Sequence, residues 1–273
     1  MSNLKIRNVL SICDGMACGR LAIERANIDI QSYYASEINK YPIQVAKNNF
    51  HDIVHVGDLL NINGSDYDDV DLVIGGTPCN SFSFAGKELN FHDPRGKLFF
   101  EFSRVLNEVK QKNPNVKFLF ENVKMKKQYQ DVISKYLGVE PIEINSNLVS
   151  AQNRKRLYWT NIQGITQPED KEIYLKDIVE EGFIPLKEKS QCILSTIWKE
   201  NVKSMISRGK KGLYVVSGNG LEYRKLTVTE CERLQTLPDG YTVGVSDTQR
   251  YKMVGEGWTV DVIAHILKHL SNG

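Results

Sequence analysis

Short apolar runs alternate with helix-like segments through the first half of the chain, and this alternation is the strongest constraint on its fold. Strand-like runs are predicted at 8–12, 32–36, 53–56, 70–74 and 116–120, and helical segments at 20–26, 43–50, 98–109 and 129–137. Strands that alternate with helices in this way are typical of an α/β protein. We therefore predict a parallel sheet with helices on both faces, in which ligands bind beyond the carboxyl ends of the strands.

The alternation weakens near residue 162, and lysine and arginine recur from 187 to 211. We predict a first domain at 1–161, a small basic second region at 162–222, and a segment at 223–273 that returns to the first domain. In that last segment, Thr227 and Glu230 have the spacing of a capping box, which predicts the start of a helix. A further amphipathic helix is predicted at 260–270.

Composition excludes several classes of protein. The chain has a net charge of +2 and five cysteines without a CxxC pair, so neither a disulfide framework nor a zinc site is predicted. No metal is expected. The first residues lack the features of a signal peptide, and no apolar run is long enough to span a membrane. We expect a cytoplasmic protein that has no membrane partner.

Polar residues follow the first three predicted strands. The glycine-containing loop CDGMACG, residues 13–19, follows the first strand, and backbone amides at such a helix start favour a polar ligand group. Glu37 follows the second strand and could accept hydrogen bonds from ribose hydroxyls. Asp58 follows the third and could hold an adenine amino group. A glycine-containing turn followed by two acids, each at a strand end, predicts an adenosine-bearing cofactor. Because the loop is not GxGxxG, we expect this cofactor to lack a pyrophosphate.

Cys79 lies in the stretch GGTPCNSFSFAG, just beyond the fourth predicted strand. A thiolate is the reactive form of cysteine and needs a polar, electropositive setting, which Arg95 and Lys97 could supply. Alternatively, Cys79 is a small apolar residue that fills a corner, and this stretch by itself leaves both interpretations open.

A carboxyl group and two guanidinium groups are predicted near the same cleft. Glu121 belongs to ENV at the end of the fifth strand, and Arg154 and Arg156 alternate in QNRKR just before the strand-like LYWT. Alternate residues of an extended chain point to one face, so we expect both arginines on the same face.

Seven blocks in order resemble the cytosine-5 DNA methyltransferases. They are CDGMACG, TPCNSFS, FHDPRGKLF, ENV, QNRKR, RKLTVTECERLQTLPDGYT and YKMVGEGWTVDVIAHIL. The resemblance implies a Rossmann-like class I methyltransferase sheet with S-adenosylmethionine as cofactor. It also implies that 1–161 is the catalytic and cofactor-binding domain and that 162–222 is a target-recognition region.

The resemblance assigns further site residues by their place in these blocks. Cofactor contacts are implied for Cys13, Asp14, Gly15, Cys18, Gly19, Glu37, Ile38, Asp58, Leu59, Pro78, Glu256, Gly257 and Trp258. Contacts with the substrate DNA are expected at Pro78, Asn80, Ser81, Ser83, Arg95, Asn122, Lys210 and Lys211.

The resemblance also implies a mechanism. The Cys79 thiolate would attack carbon 6 of a cytosine that has been flipped out of the duplex, which makes carbon 5 nucleophilic. Glu121 would hydrogen-bond ring N3 and the exocyclic amine of the base. Arg156 would hold the carbonyl oxygen of the base, and Arg154 would support the base or its phosphate.

Two departures from the family pattern leave alternatives open. Glu256 replaces a usual asparagine, and Cys13 replaces a phenylalanine found in many relatives. The main expectation is a compact bacterial or phage enzyme that acts on double-stranded DNA as a monomer, with a possible companion restriction endonuclease. The alternatives are a catalytically impaired DNA-binding regulator and an RNA cytosine-5 methyltransferase.

Overall fold

The computed structural model describes residues 4–77 and 97–272, the last of these by its backbone alone. The strands in these segments are β1 (Leu4–Ile12), β2 (Ile28–Ser36), β3 (Ile53–Gly57), β4 (Val70–Gly75), β5 (Lys117–Val123), β6 (Ile142–Asn145), β7 (Gln152–Asn153), β8 (Lys155–Thr160), β9 (Phe183–Pro185), β10 (Ser190–Gln191), β11 (Tyr214–Ser217) and β12 (Tyr223–Lys225).

The α-helices of the same segments are α1 (Cys18–Arg25), α2 (Lys40–Asn49), α3 (Lys97–Lys112), α4 (Lys127–Leu137), α5 (Leu175–Ile178), α6 (Val202–Ser207), α7 (Val228–Leu234), α8 (Asp247–Glu256) and α9 (Val260–Lys268). Within this part of the chain, no helix is both long enough and apolar enough to cross a membrane.

A seven-stranded sheet with the order β3-β2-β1-β4-β5-β8-β6 forms the centre of the first half. The pairs β1–β2, β2–β3, β1–β4 and β4–β5 are parallel, whereas β8 runs antiparallel to β5. The predicted α/β class is confirmed. The sheet is mainly parallel, as predicted, and β8 is antiparallel to β5 because the chain enters β8 at the edge of the sheet where β5 ends.

The register of the parallel strands brings their carboxyl ends together. Ile12, the last residue of β1, pairs with Ser36 on one side and with Gly75 on the other. Gly75 in turn pairs with Phe120. Residues that follow these strands therefore begin at one edge of the sheet, which is where α/β proteins bind their ligands.

The chain divides into two compact units. Unit 1 comprises 1–144, 155–166 and 264–273, and unit 2 comprises 145–154 and 167–263. This division differs from the predicted boundaries at 161 and 222, because residues 223–263 lie in unit 2 and only 264–273 return to unit 1. The reason is their packing, since Cys231 of α7 and Val254 of α8 share one buried cluster with Leu175 and Ile193.

The predicted capping box is confirmed at the start of α7. Thr227 Oγ1 accepts a hydrogen bond from the Glu230 amide at 3.2 Å, and Glu230 Oε2 accepts one from the Thr227 amide at 2.8 Å. Glu230 is fully buried and forms an ion pair with Arg224 at 2.7 Å. The hydrogen bonds and the guanidinium together hold the pKa of Glu230 below its usual range, against the opposing effect of burial.

Gly255 of α8 packs directly on a neighbouring backbone. A Cβ atom at this position would lie 2.4 Å from both Leu194 C and Ser195 N. We expect Gly255→Ala to lower the free energy of unfolding by about 2 kcal/mol, because backbone atoms cannot move aside as a flexible side chain can. Gly218→Ala is the control, since its Cβ would lie no closer than 3.8 Å to Gly182 O. Urea unfolding of both variants checks this, and equal losses would contradict it.

Candidate active site

The loop between β1 and α1 has an unusual backbone. Cys13 and Ala17 have φ of +54° and +64°, and Gly15 has +62°. Glycine adopts this left-handed conformation without steric cost, whereas the other two residues do not. The loop therefore turns sharply at the carboxyl end of β1, and α1 begins at Cys18, which is buried together with Gly19.

Glu37 follows β2 and fixes this turn. Its Oε2 accepts a hydrogen bond from the Gly15 amide at 3.0 Å, and its Oε1 accepts from the amides of Ile38 at 2.9 Å and Asn39 at 2.8 Å. The carboxylate is therefore oriented before any ligand binds. The Ile38 side chain beside it is 73% exposed, which leaves an apolar surface open next to a fixed carboxylate.

Asp14 is the most perturbed acid of the loop. Its Oδ1 accepts hydrogen bonds from Ser11 Oγ and Tyr33 OH, both at 2.6 Å. Its Oδ2 is buried and has no hydrogen-bond partner among the described residues. Burial raises the pKa of Asp14 to about 6, and this outweighs the opposite effect of the two hydroxyl groups.

The pKa of Asp14 predicts how stability depends on pH. The folded protein takes up this proton near pH 6, whereas the unfolded chain does so near 3.8. The charged carboxylate therefore costs stability above pH 6, and this cost is relieved as the pH falls from 6 towards 4. We expect the wild type to gain about 1 kcal/mol relative to Asp14→Asn between pH 7 and pH 5. Parallel urea unfolding of both proteins measures this difference, and a constant difference would contradict the assignment.

Asp58 follows β3 and caps a short 3-10 turn at Leu59–Asn61. Its Oδ1 accepts a hydrogen bond from the Leu60 amide at 3.0 Å. The prediction that Leu59 contacts a cofactor finds no support in its side chain, because that side chain is only 3% exposed and packs in the core of unit 1. The turn instead directs Leu60 outward, with 57% of this residue exposed.

The Cys13 thiol lies near three carboxylates, which make the surroundings of this loop negatively charged. Burial, as the largest cause, and the nearby carboxylates of Glu37, Asp58 and Asp14 together raise its pKa to about 12. The thiol therefore remains protonated at neutral pH. Three carboxylates acting on one side chain make this part of unit 1 electronegative, which suits a ligand that carries positive charge.

A second group of polar residues lies at the end of β5. Arg156 of β8 donates from Nε to Glu121 Oε1 at 3.0 Å, and the two side chains are only 13% and 12% exposed. Antiparallel pairing produces this contact, because Val123 pairs with Arg156 and Glu121 pairs with Tyr158. Asn122, between them, is buried and its Oδ1 accepts from the Val123 amide. The predicted association of Glu121 with Arg156 is thus present in the structure.

The remaining predicted residues of this cleft lie outside the described part of the chain. They are Pro78, Cys79, Asn80, Ser81, Ser83 and Arg95. Their predicted roles therefore stay predictions.

Arg154 does not share a face with Arg156. It lies between β7 and β8, belongs to unit 2 and is only 4% exposed. Its guanidinium donates to the carbonyls of Ile193 at 3.2 Å and Gly257 at 2.9 Å. The expectation that Arg154 and Arg156 lie on one face of a strand was wrong, because the strand is interrupted at Arg154.

The segment that contains Glu256, Gly257 and Trp258 follows α8 in unit 2. Glu256 is exposed and Trp258 is partly buried. Gly257 closes the helix through its amide, which donates to Met253 O at 2.7 Å. A cofactor contact for these residues remains a prediction.

The two lysines predicted to bind DNA have different surroundings. Lys210 forms an ion pair with Glu200, and both side chains are partly buried. Lys211 is exposed. Lys211 is therefore accessible to an anionic partner, whereas Lys210 would first have to break its ion pair with Glu200.

A family match extends over almost the whole chain. The family described as C-5 cytosine-specific DNA methylase matches residues 7–213 and 186–272. The chain belongs to this family. This match confirms the resemblance drawn from the seven sequence blocks. The matched residues include the glycine-containing loop and the Glu121–Arg156 pair.

Two relatives show how far the similarity in sequence extends. Type II methyltransferase M1.ScrFI of Lactococcus lactis subsp. cremoris is 30% identical over 88% of this chain and 72% of its own length. Type II methyltransferase M.NlaX of Neisseria lactamica is 27% identical over 96% of this chain and 95% of its own.

Solved structures show the same fold. The Entamoeba histolytica methyltransferase EhMeth aligns with a TM-score of 0.76 over 100% of this chain and 99% of its own, at 15% identity. This similarity shows that the chain has the fold of a class I methyltransferase.

Several buried polar residues escaped prediction. Ser11 and Tyr33 donate hydrogen bonds to Asp14. Their hydroxyl groups lie inside strand-like runs, and a polar group in such a run could have indicated a buried polar partner. Gln235 is fully buried, and its Nε2 donates to the carbonyls of Val254 at 2.7 Å and Gly257 at 3.1 Å. No local pattern marked Gln235, because its partners lie about 20 residues further along the chain.

Proposed function

We propose that this protein is a DNA (cytosine-5)-methyltransferase that uses S-adenosylmethionine. The family match from residue 7 to residue 272 carries this proposal. The Glu121–Arg156 pair adds chemical support, because a carboxyl group and a guanidinium held together suit the recognition of a polar base edge.

The residues of the electronegative loop fit the proposed cofactor. Glu37 offers a fixed carboxylate for ribose hydroxyls, and the carboxylate of Asp58 can accept from an adenine amine. Exposed Ile38 and Leu60 provide apolar surface for a purine ring. The negative potential around Cys13 favours the ammonium and sulfonium groups and disfavours a pyrophosphate. When bound, the cofactor supplies an electrophilic methyl group on a sulfonium.

Cys79 is the nucleophile in this proposal. Its thiolate forms a bond to carbon 6 of the cytosine, and the electron pair of the ring double bond makes carbon 5 nucleophilic. After carbon 5 has been methylated, loss of its proton restores the double bond and expels the thiolate. Because these atoms are inaccessible in a stacked duplex, the base must be flipped out at a cost of a few kcal/mol.

Glu121 and Arg156 hold the base while Cys79 attacks. The Glu121 carboxyl group would bind ring N3 and the exocyclic amine, where charge develops during the attack. Arg156 already orients this carboxyl group through its Nε. Its Nη1 donates to Lys155 O at 2.9 Å, and in this proposal the guanidinium also donates to the carbonyl oxygen of the base.

Double-stranded DNA is the proposed macromolecular substrate. We place sequence recognition in the basic part of unit 2, where the exposed Lys211 can contact phosphates. The named relatives are Type II methyltransferases, so we also propose a companion restriction endonuclease. We propose that the protein itself acts as a monomer.

A labelled-methyl experiment tests the proposed substrate. Duplex DNA and transfer RNA are incubated separately with the protein and methyl-labelled S-adenosylmethionine. We expect acid-precipitable label in DNA alone. Label in RNA alone, or in neither polymer, would overturn the proposed function.

A further inference from the structure

Asp14 has one carboxyl oxygen that no described residue binds. Its Oδ1 accepts hydrogen bonds from Ser11 Oγ and Tyr33 OH, both at 2.6 Å, which fixes the orientation of the carboxyl group. Its Oδ2 is buried and has no hydrogen-bond partner among the described residues. Because a buried polar atom without a partner costs stability, such an atom indicates a group that binds there.

A second buried oxygen without a partner lies beyond the neighbouring strand. Ile12 of β1 pairs with Gly75 of β4, and Asp14 and Thr77 each lie two residues further along the chain from this pair. Thr77 is 5% exposed, and its Oγ1 has no hydrogen-bond partner in the part of the chain that the structure describes. Both oxygens therefore follow adjacent strands at the point where the strand order of the sheet reverses, and α/β proteins bind ligands at such a point.

The loop leaves room for a ligand beside Asp14. Gly15 follows Asp14 with a φ of +62°, and a Cβ atom at Gly15 would meet no described atom within 4 Å. The Gly15 amide donates to Glu37 Oε2 at 3.0 Å, so the Glu37 carboxylate contacts the residue next to Asp14. A group bound at Asp14 would therefore lie close to a group bound at Glu37.

The order of the strands indicates which part of the cofactor reaches Asp14. Asp58, Glu37 and Asp14 follow β3, β2 and β1, which are consecutive strands of the sheet and lie about 4.8 Å apart. In the proposed function, Asp58 binds the adenine amine and Glu37 binds the ribose. The methionine part lies beyond the ribose, so it is the part that reaches the end of β1. Of its two charged ends, a carboxylate attracts the ammonium group and repels the other carboxylate.

We propose that Asp14 Oδ2 accepts a hydrogen bond from the α-ammonium group of S-adenosylmethionine and that this contact makes the amine a determinant of cofactor affinity. The inference rests on the proposed function, in which Glu37 and Asp58 bind the adenosine. Because Ser11 and Tyr33 already hold Oδ1, the Asp14 side chain needs no reorientation when the amine binds.

The test compares the affinities of the wild type and Asp14→Asn for three ligands, measured by isothermal titration calorimetry at about pH 7.5. The ligands are S-adenosylhomocysteine, its desamino analogue with hydrogen in place of the ammonium group, and its descarboxy analogue with hydrogen in place of the carboxylate. The Asp14 carboxyl group is ionised at this pH, since its pKa is about 6. We expect Asp14→Asn to raise the Kd of the two amine-bearing ligands about 10- to 100-fold and that of the desamino analogue less than about threefold.

Asp71→Asn is the matched control for Asp14→Asn. Asp71 lies near the start of β4, at the end of the strand opposite to Thr77, and forms an ion pair with Arg7 at 2.7 Å. Its removal should leave the Kd of each ligand within about twofold of the wild type, because distant sites in a protein act independently.

Other outcomes in the variants would overturn the inference. Equal losses of affinity for all three ligands in Asp14→Asn would mean that Asp14 only maintains the shape of the loop, and unchanged affinities would mean that it binds no part of the ligand. If Glu37→Gln rather than Asp14→Asn removed the advantage of the amine, the ammonium group would be bound by Glu37.

The wild type alone keeps the test decisive if Asp14→Asn does not fold. It should bind the desamino analogue about 10- to 100-fold more weakly than S-adenosylhomocysteine. Equal affinities for these two ligands would refute the inference and leave the proposed function standing. A wild type that binds none of the three ligands and transfers no methyl group would remove both.

Discussion

Cys79→Ala is expected to abolish methyl transfer, with a fall in rate of about 10⁴-fold or more. Carbon 5 of cytosine is a poor nucleophile, and only addition of a thiolate at carbon 6 makes it reactive enough to accept a methyl group. The electronegative loop of unit 1 is built from other residues, so binding of S-adenosylhomocysteine should remain within about threefold of the wild type. The measurement is label transfer to duplex DNA under single-turnover conditions.

Cys231→Ala provides the matched control for this variant. Cys231 is fully buried in unit 2, and burial raises the pKa of its thiol far above the usual range, so it is an inert apolar residue. Its removal should leave the rate unchanged. Full activity of Cys79→Ala would contradict the covalent route.

Glu121→Gln is expected to lower kcat by about 10²- to 10³-fold. The substitution keeps the size of the side chain but removes the charge that pairs with Arg156 at 3.0 Å. It also removes an acid that can share a proton with ring N3 while charge develops there. Because the change acts on the base and not on the cofactor loop, the KM for S-adenosylmethionine should change little.

Glu143→Gln is the control for Glu121→Gln. Glu143 lies in β6 and pairs with Lys124 at 2.8 Å on a more exposed surface. Loss of this pair should leave kcat unchanged, because exposed ion pairs contribute little. If both variants lost activity equally, the effect would be one of general stability and the assigned role of Glu121 would be wrong.

Positions at strand ends could be predicted from the sequence. Glu37 and Asp58 directly follow β2 and β3, because an apolar run followed by an acid marks the point where a buried strand reaches the edge of the sheet. The capping box of Thr227 and Glu230 was equally local, since both of its hydrogen bonds join residues three apart.

Features that depend on distant contacts could not be predicted. The alternation of Arg154 and Arg156 indicated a common face, but Arg154 is drawn into unit 2 by carbonyls that lie 39 and 103 residues away. Leu59 and Leu60 were equivalent in the sequence, and only the turn capped by Asp58 decides which of them is buried. Residues 223–263 join unit 2 through packing that has no local signature.

Carbon 5 of cytosine in DNA is the proposed acceptor of the methyl group, and the product nucleosides identify the acceptor atom. Duplex DNA treated with the protein and S-adenosylmethionine is digested to nucleosides, which are separated and identified by mass spectrometry against standards. We predict 5-methyl-2′-deoxycytidine as the methylated product of the wild type, and none from Cys79→Ala. N4-methyl-2′-deoxycytidine, a methylated adenine, or 5-methyl-2′-deoxycytidine at the wild-type level from Cys79→Ala would contradict methylation at carbon 5 through Cys79.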